Sequence, residues 1–145
     1  MTVPILLRRQ IEERDKHRCA YCQTAEENCG LRMHLDHITP EVKGGATSLE
    51  NLCLACFTCN VYKGEQQTSK DPLTGEYVLL FHPVQQVWTD HFAWDESGTI
   101  LLGITPHGRA TVRTLQMNNL TVLQARRRWV SAGWHPPDRQ TKNSS

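Results

Sequence analysis

The sequence predicts an α+β fold whose small core is stapled by a metal ion. Two Cys-x2-Cys pairs, Cys19-x2-Cys22 and Cys56-x2-Cys59, are separated by 33 intervening residues. A strand, loop, strand and helix pattern runs from the first pair through the second. Beyond Lys70, short alternating segments are separated by turn residues. A chain of 145 residues that is 39% hydrophobic can bury a modest core, so a compact domain with an appendage is expected.

The first element is an expected helix from Ile5 to Lys16, because its apolar residues fall on one loose stripe. Residues 1–18 are therefore predicted to pack as a helix against the core. The core itself is predicted to span residues 19–68.

Within the core, residues 31–38 alternate as a strand, with Met33, Leu35 and His37 on one face and His34 and Asp36 on the other. Gly44-Gly45 permits a turn, and residues 49–54 return as a second strand. A short helix is expected from about residue 57 to 66.

A C-terminal extension is predicted over residues 69–135, followed by a polar tail at 136–145. Its expected strands are 77–81, 87–94 and 99–105, with a hairpin turn over 95–98. A set of apolar side chains is expected to cover this small sheet: Trp88, Phe92, Trp94, Ile100, Leu102 and Ile104. Two helices follow, one capped by Thr105 and running to Met117, the other capped by Asn119 and running from Leu120 to Ala132.

The charge balance excludes a strong global attraction to polyanions. The chain has 16 basic and 15 acidic residues and a net charge of +1, so contact with nucleic acid must be local. Arginines on the predicted helices either form a solvated face or contact a DNA backbone: Arg109, Arg113, Arg126, Arg127 and Arg128. The longest apolar runs fall far short of the ~20 residues that cross a bilayer. With no signal-peptide pattern at the N-terminus, a cytoplasmic location and no membrane partner are expected.

The cysteines indicate zinc, because a reducing compartment disfavours disulfides. Two knuckles of the type Cys-x2-Cys are how a tetrahedral four-thiolate structural zinc site is assembled, with Cys19, Cys22, Cys56 and Cys59 as ligands. The alternative is two unrelated pairs of buried thiols. Cys53 lies in an apolar run and is expected to be a small buried hydrophobe, and Cys29 is expected to be a free thiol.

Inside the cysteine-bounded segment, Asp36-His37 and Asn60 form a set suited to phosphodiester cleavage. That reaction needs an activated water and a cation near the departing oxygen. The carboxylate of Asp36 and the amide carbonyl of Asn60 suit Mg²⁺ or Mn²⁺. His37 points away from Asp36 on a regular strand, so a twist or bulge is required to aim it at the water. Individually, these residues also read as strand-end, turn or cap residues.

Several motifs resemble the HNH endonuclease family over residues 19–66. They are Asp36-His37-Ile38-x-Pro40, Gly44-Gly45, Asn51-Leu52 and Cys56-x2-Cys59-Asn60-x2-Lys63-Gly64. The resemblance implies a ββα-metal fold in which His37 is the general base and Asp36 and Asn60 hold the catalytic cation. Asn51 would be the middle asparagine of the motif and would fix the loop that aims His37.

Two further residues are candidate substrate contacts. His34 shares a strand face with Asp36 and either reaches the metal or phosphate or is an exposed strand histidine. Lys63 resembles a recurrent lysine of the family and either touches the DNA backbone or is a solvated helix lysine. Motifs of the extension, such as Gly103-Ile104-Thr105-Pro106, resemble stand-alone bacterial HNH proteins common in cyanobacteria. Many of those carry Glu at the position of Asp36, and either carboxylate binds a hard cation.

The sequence therefore predicts a Mg²⁺- or Mn²⁺-dependent DNA endonuclease with structural zinc, with RNA left open as a substrate. The rival is a non-catalytic zinc ribbon that binds nucleic acid or protein through its knuckles. A zinc hydrolase is disfavoured because four cysteines leave no open coordination position. A homodimer or a protein partner is left open.

Overall fold

The structure is a computed structural model that describes residues 2–137. Of the predicted polar tail at 136–145, residues 138–145 lie outside the described residues. The described part is an α+β fold with three separate two-stranded antiparallel sheets. Its elements are α1 (Ile5–Arg14), α2 (Glu26–Cys29), β1 (His34–His37), β2 (Leu52–Ala55), α3 (Phe57–Lys63), β3 (Thr68–Lys70), β4 (Tyr77–Leu79), α4 (Trp88–His91), β5 (Phe92–Trp94), β6 (Leu101–Gly103), α5 (Pro106–Thr114) and α6 (Leu120–Ser131).

Strands β1 and β2 form the predicted hairpin, although both are shorter than expected. All four residues of β2 are buried, as expected for the inner strand of a small core. The C-terminal end of α1 protects the free edge of β2, because Oδ2 of its C-cap residue Asp15 accepts a 2.8 Å hydrogen bond from the backbone N–H of Leu54. The guanidinium of Arg14 donates to the carbonyl of Leu52. The N-terminal helix is thus tied to the hairpin by polar contacts as well as by packing.

The extension differs from the prediction in two places. Strand β3 was not predicted, and the strand predicted over residues 87–94 is wrong in its first half. The short exposed β3 pairs with β4, but its residues Thr-Ser-Lys carry no apolar alternation to mark them. Residues predicted as the start of a strand instead form helix α4, and only Phe92–Trp94 is extended. The predicted turn at 95–98 does join β5 to β6.

The expected apolar face of the extension is also wrong in part. Phe92 is buried, but Ile100, Leu102 and Ile104 are exposed, and Leu101 is the buried residue of β6. Because side chains alternate along a strand, burial of Leu101 turns its neighbours outward.

The two C-terminal helices begin where the sequence predicts. Thr105 Oγ1 accepts a 3.1 Å hydrogen bond from Gly108 N, and Asn119 Oδ1 accepts one of 3.0 Å from Val122 N. Helix α5 packs closely on β6, since a Cβ on Gly103 would lie 2.4 Å from Arg109 N. These contacts fix α5 against the small sheet.

Two of the arginines expected on a surface are engaged inside the protein. Arg109 makes a two-pronged ion pair with Asp71, with both distances 3.0 Å, which holds the pKa of that carboxyl well below its usual range. Arg126 is completely buried. Arg113, Arg127 and Arg128 are exposed. Within residues 2–137, no helix has the length and apolar character needed to span a membrane.

Candidate metal centre and active site

The four predicted zinc cysteines come together. Their sulfur atoms all lie within 4.8 Å of one another, and Cys22 Sγ lies 3.7 Å from Cys56 Sγ. A tetrahedral zinc ion with Zn–S bonds of about 2.3 Å places neighbouring sulfurs about 3.8 Å apart. The cluster therefore fits zinc, with Cys19 and Cys59 as the remaining ligands.

Two backbone N–H groups are placed to stabilise thiolates in this cluster. The backbone N–H of Cys22 points at Cys19 Sγ, and that of Cys59 points at Cys56 Sγ, each at 3.5 Å. Burial raises the pKa of the Cys19 thiol, so an ionised form needs a cation beside it. The other two cysteines stand apart: Cys53 is buried in β2, as predicted, and Cys29 is exposed.

Asp36 points into the protein interior from β1. The residue is 5% exposed. Oδ2 accepts a 2.6 Å hydrogen bond from the hydroxyl of Tyr21 and lies 3.2 Å from Lys63 Nζ. Oδ1 contacts the ammonium of Lys63 at the longer distance of 3.4 Å. The Oδ1 atom is therefore the less engaged of the two carboxylate oxygens.

Lys63 fits neither of the two roles that the sequence suggested for it. Its side chain is only 1% exposed, so it is not a solvated helix lysine. Besides Asp36, its ammonium donates to the backbone carbonyls of His37 and Ile38, at 3.3 and 3.2 Å. All of these partners are internal, which does not favour contact with a DNA backbone. Instead, Lys63 ties α3 to the end of β1.

His37 lies on the opposite face of β1 from Asp36. The antiparallel register is regular here, with Asp36 opposite Cys53 and His37 opposite Leu52, so the expected bulge is absent from this hairpin. The ring of His37 is half-buried. Its Nε2 lies 3.0 Å from Thr47 Oγ1, and its Nδ1 lies 3.9 Å from Glu41 Oε1.

Asn51 clamps the long loop of the hairpin. Its Oδ1 accepts from Thr39 N at 2.8 Å, and its Nδ2 donates to the carbonyls of Thr39 and Ala46 at 3.0 and 2.8 Å. Gly45 is required beside it, because a Cβ there would lie 1.7 Å from Thr39 O. Thr39 follows His37 by two residues. The clamp therefore fixes the segment that leaves the histidine.

Asn60 and His34 are the more open members of the set. Asn60 precedes Lys63 by three residues on α3, and this helical spacing places both side chains on neighbouring positions of one face. Within residues 2–137 the Asn60 side chain forms no hydrogen bond. His34 is exposed, and its ring centroid lies 6.0 Å from that of Phe57. Of its two alternatives, the exposed strand histidine matches this placement.

Sequence reasoning missed Tyr21 as part of the site. This residue lies inside the first knuckle and is completely buried. Nothing in its spacing marks it, because a knuckle tyrosine reads as an ordinary core aromatic. Its contact with Asp36 depends on the way the knuckle packs against the hairpin.

The cysteine cluster, the β1–β2 hairpin and α3 together define a metal-binding ββα domain. Residues 19–66 match the family model described as HNH endonuclease. The match covers 48 of the 145 residues of the chain. Comparisons with curated proteins and with solved structures found no match.

Proposed function

We propose that the chain is a metal-dependent endonuclease that hydrolyses phosphodiester bonds of DNA. The observation that carries this proposal is that Asp36 and His37 project from opposite faces of one strand end. In-line displacement at phosphorus places the attacking and departing oxygens on opposite sides. A base on one face and a cation ligand on the other match that requirement without a bulge, provided that the phosphate lies across the end of β1.

His37 acts as the general base in this proposal. In this mechanism the ring carries its proton on Nε2, which lies 3.0 Å from Thr47 Oγ1 and donates to it, and Nδ1 is the basic atom. Once Nδ1 has taken a proton from water, the carboxylate of Glu41 stabilises the imidazolium from 3.9 Å. Asn51 is a positioning residue, because its clamp on Thr39 keeps the loop beside the histidine in one conformation.

Asp36 and Asn60 would hold the catalytic Mg²⁺ or Mn²⁺. The donor set fits a hard cation, since it offers the less engaged Oδ1 of Asp36 and an amide oxygen with no internal partner. When bound, such a cation stabilises charge on the departing 3′ oxygen. Lys63 fixes the orientation of the buried Asp36 carboxylate through its ammonium.

The extension over residues 69–135 is proposed to brace this core rather than to carry chemistry. Trp88 Nε1 donates a 2.8 Å hydrogen bond to the carbonyl of Tyr21. That contact fixes the backbone of the first cysteine pair. Because the Tyr21 hydroxyl donates to Asp36, it also helps to fix the orientation of the Asp36 carboxylate.

The test is cleavage of supercoiled plasmid DNA by zinc-loaded protein with Mg²⁺ or Mn²⁺. His37→Ala should abolish nearly all cutting while retaining zinc and the wild-type circular dichroism spectrum. The matched control is His17→Ala, which removes an exposed histidine and should cut normally. Single-stranded DNA and RNA assayed in parallel define the substrate.

Retained cutting by the His37→Ala protein would refute the base assignment. Wild-type protein that binds the plasmid but never nicks it with either cation would instead favour the zinc-ribbon binding module.

A further inference from the structure

Arg126 presents an unusual electrostatic problem. Its side chain is 0% exposed, and all of its hydrogen bonds go to neutral acceptors. They run to the carbonyls of Thr99 and Met117, at 3.0 and 2.7 Å, and to Asn118 Oδ1 at 3.0 Å. Within residues 2–137, no carboxylate lies within ion-pair distance of this guanidinium. A buried cation without an anion nearby is strongly disfavoured.

The four-cysteine cluster shares a groove with Arg126 and becomes an anionic group when it holds zinc as thiolates. Arg126, Cys22, Cys56 and Cys59 line one groove between α6 and the start of α3. Burial lowers the pKa of the Arg126 guanidinium, and the charges of the cysteines are the groups that oppose this shift. Its Nε is buried and makes no hydrogen bond.

A zinc ion with four thiolates remains anionic, because the thiolates outweigh the divalent cation. That excess charge is itself buried here, since three of the four cysteines are buried. One guanidinium nearby would offset part of it. The buried positive charge of Arg126 and the buried negative charge of the zinc–thiolate cluster would then stabilise each other across the groove.

We propose that Arg126 is the counter-cation of the four-cysteine zinc site and sets its affinity for zinc. The C-terminal extension thereby contributes electrostatically to a metal site whose ligands all belong to the core. This inference depends on zinc binding and not on the nuclease reaction. Its test can therefore fail while the proposed nuclease function stands, and the reverse also holds.

The experiment is competition for zinc between the full-length protein and a chromophoric chelator at fixed pH and ionic strength. Arg126→Gln should weaken zinc binding by about 10- to 100-fold, the usual effect of losing a group that supports metal ligands. Arg126→Lys keeps the charge and should stay much closer to wild type. The matched control is Arg127→Gln, which removes an exposed charge from the same helix and should leave affinity unchanged.

A second variant separates charge from packing. Cys56→His keeps four ligands but removes one negative charge from the cluster. In that background Arg126→Gln should cost much less affinity than in the wild type. This background also covers the case in which the single Arg126→Gln protein does not fold, because the double variant should then fold with zinc.

Three results would overturn the proposal. One is wild-type zinc affinity in a folded Arg126→Gln protein. Another is an equal loss for the Lys and Gln variants, which would mean that the hydrogen-bonding fork matters and the charge does not. The third is an Arg126→Gln penalty, or a failure to fold, that is the same with and without Cys56→His.

Discussion

The hydroxyl of Tyr21 donates a 2.6 Å hydrogen bond to Asp36 Oδ2. This bond joins the first cysteine knuckle to the strand that carries Asp36 and His37. The same Asp36 oxygen lies 3.2 Å from Lys63 on α3. A buried polar network therefore connects the structural metal site with the candidate catalytic residues, and each partner in it can be tested separately.

Tyr21→Phe should destabilise the protein by about 1–3 kcal/mol, because a buried acceptor loses its neutral donor. It should also lower plasmid cutting, since the orientation of Asp36 is no longer fixed by two groups. Urea unfolding of zinc-saturated protein measures the first effect, and cleavage rates measure the second. The exposed Tyr77→Phe is the control and should change neither. Unchanged stability and cutting in Tyr21→Phe would show that this hydrogen bond contributes to neither property.

Lys63→Met should cost about 3–5 kcal/mol of stability, because it leaves the Asp36 carboxylate buried without its cation. Added Mg²⁺ or Mn²⁺ should raise the melting temperature of this variant more than that of wild type, since the metal then supplies the missing charge. Lys43→Met removes an exposed lysine and serves as the reference. A melting temperature that does not respond to either cation would contradict metal binding at Asp36.

Asn51→Ala should reduce the cleavage rate by about 10- to 100-fold, the usual effect of losing a residue that orients a functional side chain. Zinc content should stay normal, because Asn51 does not touch the cysteine cluster. Single-turnover cleavage with saturating DNA isolates the chemical step from binding. The idea fails if the variant loses affinity for DNA but cuts bound DNA at the wild-type rate.

Removal of zinc should unfold the core. At a zinc concentration about 1,000 times the dissociation constant, binding contributes about 4 kcal/mol to the folded state. Cys59→Ser should lose zinc and melt at a lower temperature, whereas Cys29→Ser should match wild type because that thiol is exposed. Zinc analysis and thermal melting measure both variants. Equal melting temperatures for Cys59→Ser and Cys29→Ser would show that the cluster does not support the fold.

The sequence predicts best where local chemistry decides the structure. Cysteine spacing brings Cys19, Cys22, Cys56 and Cys59 together because ligand geometry allows little else. Thr105 and Asn119 mark helix starts because each caps its own helix through a bond three residues away.

Prediction fails where partners distant in sequence decide the structure. Lys63 has the spacing of a surface lysine, and its contacts with Asp36 and with the carbonyls of His37 and Ile38, all at least 25 residues away, place it inside. Residues 87–94 are predicted as one strand because the stretch contains Val87, Trp88, Phe92 and Trp94. There the close approach of Gly108 to His91, where a Cβ would lie 2.1 Å from His91 O, reflects the packing of α4 against α5.

The hydrogen bond from Trp88 to the Tyr21 carbonyl shows that the matched segment is not structurally self-contained. The matched segment ends at residue 66. The backbone of its first cysteine pair nevertheless accepts a hydrogen bond from the indole of Trp88, which lies outside that segment. A fragment limited to residues 19–66 would expose the Tyr21 carbonyl to water. It would also lack α6, which forms one side of the groove beside the cysteines. For transplantation into another protein, the transferable unit therefore includes the extension together with the motif.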